Sequence, residues 1–224
     1  MLEQDPVELI ATGDGSFTVR GRSWNACYHS QHGALTESRH VFIRHGLDAC
    51  PRPRIHVLEV GFGTGLNALL TLEQALKRSL RIRYTALEPN PLPEAVIQQL
   101  AYGMLMTEPD RAEGFLCAMH RGDRGRLPGC FEFELLHQRV QELPLMEPVD
   151  VVYFDAFAPS TQPEMWSADI FRILYSALVP GGHLVTFCSK GQVRRDLQAI
   201  GFEVERLPGP PGKREMLRAR RPGE

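Results

Sequence analysis

The sequence predicts an α/β fold: a doubly wound, mostly parallel seven-stranded sheet behind an N-terminal extension. Three observations carry that prediction. Apolar runs of strand length alternate with helical patterns from residue 55 onward, as they do in chains built of βαβ units. The run Ile55-His-Val-Leu-Glu-Val60 leads directly into Gly61-Phe-Gly-Thr-Gly65, and Leu66, Leu69, Leu70, Leu72 and Leu76 then share one helix face. That is a buried parallel strand, a tight loop and a helix in succession. The last two apolar runs lie close enough in sequence to form a hairpin and so add one antiparallel edge.

Composition limits the function classes. A chain of 224 residues fits one domain, here divided as an extension over 1–50 and a core over 51–224. Net charge is −2, so the whole-chain balance does not itself announce a nucleic-acid binder. No apolar run approaches the roughly 20 residues that span a bilayer, and no basic-then-apolar leader opens the chain. Cys27, Cys50, Cys117, Cys130 and Cys188 are scattered, odd in number and without a C-x-x-C. That usage favours reduced thiols in a cytoplasm over a disulfide framework. His29, His32, His40 and His45 cluster in sequence, but without a zinc-ligand spacing they read as surface histidines, and no metal is expected. The sequence carries no signal of oligomeric state.

The elements follow in order. Residues 16–20 and 24–28 are expected to pair as a hairpin about Gly21-Arg-Ser23, and Leu35–Ile43 to form a helix with Glu37 on its polar side. Cys50-Pro-Arg-Pro-Arg54 is a stiff connector into the first core strand. Ile82–Glu88 is the second strand, Glu94–Leu100 a helix, and residues 103–130 an irregular cover of helix and loop. Phe131–Leu136 alternates as a third strand. Asp150–Phe157 is the fourth, ending in Asp155, and Ala158–Trp166 the loop behind it. A helix over Ala168–Leu178, a strand over His183–Cys188, a short basic helix over Val193–Ile200 and strands over Phe202–Leu207 and Arg214–Ala219 complete the chain.

The glycine loop selects its ligand class. The dinucleotide fingerprint would need a third glycine where Leu66 stands, and a phosphate P-loop would need Lys after Gly65. No Lys or Arg lies between Ile55 and Leu76, and Glu59 before the loop suits a cationic ligand better than a pyrophosphate. E-x-G-x-G-x-G after a strand resembles motif I of methyltransferases that use S-adenosylmethionine (SAM), a Rossmann-like group. Glu88 lies 27 residues beyond Gly61. The usual gap to a ribose-binding acid is about 20, so a long first helix is needed.

Asp155-Ala-Phe-Ala-Pro-Ser-Thr-Gln-Pro-Glu-Met-Trp166 resembles the D-[GA]-F-[AS]-P-x-x-x-P-[ED]-[ML]-W signature of the MnmC methyltransferase-domain family. Six further stretches agree in order: His32-Gly-Ala-Leu-Thr-Glu37 with Val41-Phe42, Gly61–Asn67, Leu87–Leu92, Leu127–Cys130, Gly191–Arg195 and Gly212–Met216. The resemblance covers about residues 16–220 and implies SAM-dependent methylation of the primary amine of 5-aminomethyl-2-thiouridine at the tRNA wobble position. Many family members carry a fused FAD-dependent oxidase. No second glycine-rich nucleotide loop occurs here, so a stand-alone methyltransferase is expected.

The resemblance also implies roles. Glu59, Gly61, Phe62, Gly63, Thr64, Gly65 and Asn67 would hold the methionine end of SAM, and Glu88 the ribose. Asp155 would touch the cofactor and orient the amine, either as an acceptor only or also by taking its proton, with Phe157 beside it. Where the family has Gly-Asp near the adenine, this chain has Gln138 and Arg139; a glutamine carbonyl can accept from the adenine amino group, an arginine cannot. Phe157 and Trp166 read either as stacking faces for a flipped base or as core residues. Glu37, Lys190, Arg194, Arg195, Lys213 and Arg214 are the remaining substrate-side candidates. From Lys190 to Glu224 nine Lys and Arg oppose five acids, a local charge of +4 that suits tRNA phosphates. Two other readings stay open at this point. One is a small-molecule methyltransferase or an aminopropyltransferase-like relative; the other, raised by Arg139, is a non-catalytic nucleotide-binding module.

Overall fold

The computed structural model describes residues 7–22, 25–122, 124–127, 131–143 and 147–223. Its centre is β4 (Arg54–Val60), buried from Ile55 to Val60. It runs parallel between β5 (Arg81–Leu87) and β8 (Val149–Phe154). Strands β7 (Phe131–Leu136) and β9 (Leu178–Thr186) extend the sheet in parallel on either side. Then β11 (Glu215–Arg220) and β10 (Glu203–Pro208) add an antiparallel hairpin beyond β9. The order is β10-β11-β9-β8-β4-β5-β7, with a short eighth strand at the edge beyond β7.

The eighth strand is β6 (Gly125–Leu127), antiparallel to β7. Seven were expected. Three residues, with Gly125 closing on the Phe133 ring, carry too little alternation to read as a strand.

Period-2 alternation divides the core in two. Ile55 and Val57 of β4, with Val151 and Tyr153 of β8, face the layer of α2 (Leu66–Arg78) and α4 (Pro109–His120). Leu58, Val60, Val152 and Phe154 face α5 (Ala168–Ala177) and α6 (Gly191–Ile200). Helices on both faces of a parallel sheet make the fold doubly wound, as expected. Helix α3 (Glu94–Leu100) also lies where its pattern places it. Among the described residues, no helix is long and apolar enough to cross a membrane.

The N-terminal segment differs in detail. β2 (Phe17–Gly21) does pair with β3 (Ala26–Cys27), but β1 (Val7–Ala11) joins as a third antiparallel strand. Trp24, expected in the hairpin, lies outside the described residues, as do Pro128 to Cys130 of one family motif. The predicted helix is two pieces, α1 (Ala34–Ser38) and a π-helical turn over Arg39–Arg44. Asp14 fastens α1 to the β1–β2 turn: its Oδ2 accepts from Thr36 N–H at 2.8 Å and Thr36 Oγ1 at 2.9 Å. Burial alone would raise the Asp14 pKa, but bonds from Ser16, Thr36 and Thr12 hold it well below the usual carboxylate range. Val19, Ala34, Leu35, Val41 and Phe42 share the α2-side core, so this segment is built against the sheet's helical layer.

Candidate active site

Three backbone hydrogen bonds align the carboxyl ends of the parallel strands. Gly61 N–H donates to Leu87 O at 3.0 Å, Asp155 N–H to Val60 O at 3.0 Å, and Glu88 N–H to Leu136 O at 3.0 Å. Gly61, Glu88 and Asp155 therefore stand at one edge, where open α/β sheets bind ligands. The loop conformation demands glycine at two places. Gly61 has φ 90°, and a Cβ there would stand 2.7 Å from Asp155 O. Gly63 has φ 53°, and its Cβ would press on the Tyr28 ring at 3.0 Å.

Beneath the loop a polar network joins two acids. Asn67, in the first turn of α2, donates from Nδ2 to Glu59 Oε1 and to Asp155 Oδ2, both at 2.9 Å. Tyr84 OH donates to Glu59 Oε2 at 2.8 Å. Glu59 is fully buried; desolvation pushes its pKa well up, the Asn67 bond opposes that, and the Asp155 charge adds to it. Burial, then the charge of Glu37, raises Asp155 to about 7, against the Asn67 bond and Lys213. Glu88 is raised by burial as well, although its carboxylate accepts Asn90 N–H at 3.0 Å and Gly63 N–H at 3.1 Å.

The structure revises several expected roles. Both Glu59 oxygens are already held by Asn67 and Tyr84, which leaves them no free acceptor for a ligand, and the buried Oδ1 of Asn67 has no partner among the described residues. Phe62 and Thr64 point inward and are buried, Phe62 with its ring 4.9 Å from that of His120; only their backbone can face a ligand. Trp166 is a core residue rather than a stacking face. It is 6% exposed, its Nε1–H donates to Phe157 O at 2.8 Å, and its ring lies edge-on to Phe154 at 4.9 Å. The expected loop closes there into a 3-10 turn over Pro163–Trp166, which turns the indole inward.

Phe157 stays half-buried at the mouth, its ring 4.9 Å from that of Tyr28 at 74°. Tyr28 is thus a site residue that the sequence did not mark, because only the folding of the N-terminal segment onto the loop brings it to Gly63 and Phe157. Gln138 follows β7 at the same edge, half-buried, its Nε2 donating to Glu142 O at 3.4 Å. Arg139 is exposed and leads a 3-10 turn over Val140–Glu142. Glu37 and Lys213 contact each other at 2.6 Å. Lys190, Arg195 and Arg214 are exposed and Arg194 half-exposed. Lys190 precedes α6 at the carboxyl end of β9, and Arg214 closes the β10–β11 turn at that end.

The donor set fits SAM. Asn67 Oδ1, Asp155 and Glu88 offer acceptor oxygens around the loop, as a ligand carrying an ammonium and a ribose diol requires, and a side chain at Gly61 or Gly63 would crowd the cradle. Among the described residues, no three His, Cys, Asp or Glu side chains converge as a metal site requires.

Residues 132–222 match a family described as S-adenosyl-L-methionine-dependent methyltransferase. The tRNA 5-methylaminomethyl-2-thiouridine biosynthesis bifunctional protein MnmC of Aromatoleum aromaticum is 35% identical over 230 residues, covering 96% of this chain and 36% of that protein. The chain spans about a third of the length of the curated relatives it matches. The crystal structure of MNMC2 from Aquifex aeolicus aligns with TM-score 0.79 and 26% identity over 100% of this chain and 73% of its own. Spermidine synthase from Thermotoga maritima shares the fold alone, with TM-score 0.62 at 12% identity over 99% of this chain and 71% of its own.

Proposed function

The chain belongs to the SAM-dependent methyltransferases and corresponds to the methyltransferase part of the MnmC proteins, and on that premise we propose that it methylates the primary amine of 5-aminomethyl-2-thiouridine at the tRNA wobble position. The observation that carries this reading is the placing of Asp155. It stands at the carboxyl end of β8, tied through Asn67 to Glu59, beside the glycine loop and the Phe157–Tyr28 pair.

Bound SAM supplies a methyl group on a sulfonium, which leaves as a neutral thioether when the amine nitrogen takes the methyl. The chain must position the amine in line and keep its lone pair free. Asn67 Oδ1 would accept from the cofactor ammonium, Glu88 from the ribose and Gln138 from the adenine, with Asp155 beside them facing the amine. Asp155 also accepts an amine proton; a pKa of about 7 keeps it ready both to take and to release one. Phe157 and Tyr28 flank the flipped base, which aromatic edges and faces hold without reading the rest of the sequence.

Lys190, Arg194, Arg195 and Arg214 meet phosphates along the rim. Residues 51–224 carry the cofactor loop and Asp155, and the N-terminal segment brings Tyr28 to the mouth. The scattered free cysteines suit a cytoplasmic enzyme acting beside its tRNA. The test is incubation with methyl-labelled SAM and bulk tRNA from a strain lacking the activity, followed by nucleoside mass spectrometry. Label in 5-methylaminomethyl-2-thiouridine supports the reading. Label only in a small-molecule amine, or none at all, refutes it.

A further inference from the structure

Glu37 and Lys213 lie 176 positions apart and meet at 2.6 Å in a part-buried site. The Glu37 side chain is 7% exposed and that of Lys213 33%. The second Glu37 oxygen, Oε2, accepts Ser30 N–H at 2.8 Å. The Lys213 ammonium also sits 3.8 Å from the centre of the Phe187 ring, just beyond the end of β9. Around this pair the two segments are pressed together. A Cβ on Gly212 would collide with the His32 ring, and His40 Nε2 lies 2.7 Å from Pro208 O.

A part-buried ion pair is weak as a stabilising device, because desolvation of the carboxylate and solvent screening of the partly exposed ammonium consume most of their attraction. Apolar side chains would brace these segments as well. What they would not supply is charge beside Asp155, and both members of the pair act on it with opposite signs: Glu37 resists its ionisation and Lys213 favours it. The same two charges act, again oppositely, on buried His29.

We propose that the Glu37–Lys213 pair is a positioning element for Asp155, clamping the N-terminal segment to the β10–β11 turn across the mouth and fixing two compensating charges beside the proton-accepting carboxylate. The proposal rests on the reading of Asp155 as the group that takes the amine proton. Among the described residues, the groups that act on Asp155 include Asn67, which donates to it, and Glu59 and Tyr84 behind Asn67. They also include the charges of Glu37 and Lys213, whose ammonium lies over Phe187 where β9 continues beside the end of β8. With the pair intact, the ammonium offsets the Glu37 carboxylate, and burial alone chiefly sets the proton affinity of Asp155. Loss of one partner leaves the other charge uncompensated, so the two losses act in opposite directions.

The first measurement needs neither SAM nor tRNA. The carboxyl carbons of ¹³C-aspartate-labelled protein are followed by NMR across pH, with the Asp155 signal identified by its loss in Asp155→Asn. Lys213→Met should raise the Asp155 midpoint, and Glu37→Gln should lower it, each by about one pH unit or more, the ordinary reach of a nearby charge. The double variant Glu37→Gln/Lys213→Met removes both charges and should return the midpoint close to wild type. Lys213→Arg, which keeps the cation, should hold it there as well. In methyl-transfer assays the pH dependence of kcat should follow the same opposite shifts, with SAM affinity unchanged. Equal midpoints in wild type and both single variants, with only thermal stability lowered, would make the pair a brace and overturn the proposal. The expected midpoints in a protein that methylates no tRNA would instead overturn the methylation reading and leave the pair's role intact.

Discussion

The side-chain amide of Asn67 donates to Asp155 Oδ2 at 2.9 Å while the same nitrogen serves Glu59 Oε1. One donor shared by two carboxylates at the ends of adjacent strands links their ionisation: each charge disfavours the other. Burial then lifts both acids, Asp155 to about 7.

The first prediction concerns stability. Between about pH 4 and 7 folded Asp155 keeps a proton that the unfolded chain has released, so this residue's contribution to stability falls as pH rises through that window. Asp155→Asn abolishes the dependence. Thermal unfolding should show the variant gaining melting temperature over wild type at pH 8 relative to pH 5. A difference independent of pH would contradict the raised proton affinity.

Two histidines act with the opposite sign. Burial lowers His29 and His120 to about 4, so each folds neutral while the unfolded chain takes up a proton below about 6.5. Their contribution is complete above that pH and is lost as pH falls through 4. His120→Gln should therefore flatten acid unfolding between pH 6.5 and 4; an unchanged acid limb would show that His120 is protonated in the fold.

For the cofactor cradle, Gly63→Val forces a β-branched residue to φ 53° and against the Tyr28 ring. The protein should keep its circular dichroism spectrum and lose SAM binding by calorimetry. Unchanged affinity in the folded variant would place SAM elsewhere.

Trp166→Ala should cost about 3–5 kcal/mol in denaturant unfolding, as expected for removal of a buried aromatic side chain, because its indole fills the core against Phe154 and Phe171. Trp166→Phe should recover most of that and of the activity. A large loss of tRNA affinity in a stable Trp166→Phe would restore the stacking role.

Arg194→Glu, Arg195→Glu and Arg214→Glu together should raise KM for tRNA without altering SAM affinity, and wild-type activity at sub-saturating tRNA should fall steeply with salt. A salt-insensitive KM would mean that the tRNA docks away from this rim.

The parallel sheet was legible because its strands are apolar runs punctuated by glycine and proline, and the acids Glu59, Glu88 and Asp155 could be placed at strand ends by counting. Where side chains point was not legible. Trp166 reads as a loop aromatic until the 3-10 turn brings it to Phe157 O, and Glu59 reads as a ligand until Tyr84, 25 residues on, occupies it. Tyr28 and the Glu37–Lys213 contact depend on long-range packing of the N-terminal segment, which no local pattern encodes. β1 and β6 escaped because neither shows a full strand's alternation between turn signals.

Single-turnover transfer of labelled methyl from SAM to aminomethyl-containing tRNA, run across pH for wild type and Asp155→Asn, tests the central claim most directly. Wild type should methylate the wobble amine at a rate that rises through about pH 7 as Asp155 ionises. Asp155→Asn should be slower by about 10²-fold or more, the scale of general acid–base work, with SAM affinity little changed. A variant that turns over at near wild-type rate with the same pH profile would show that Asp155 takes no proton, and that the amine reaches the site already neutral.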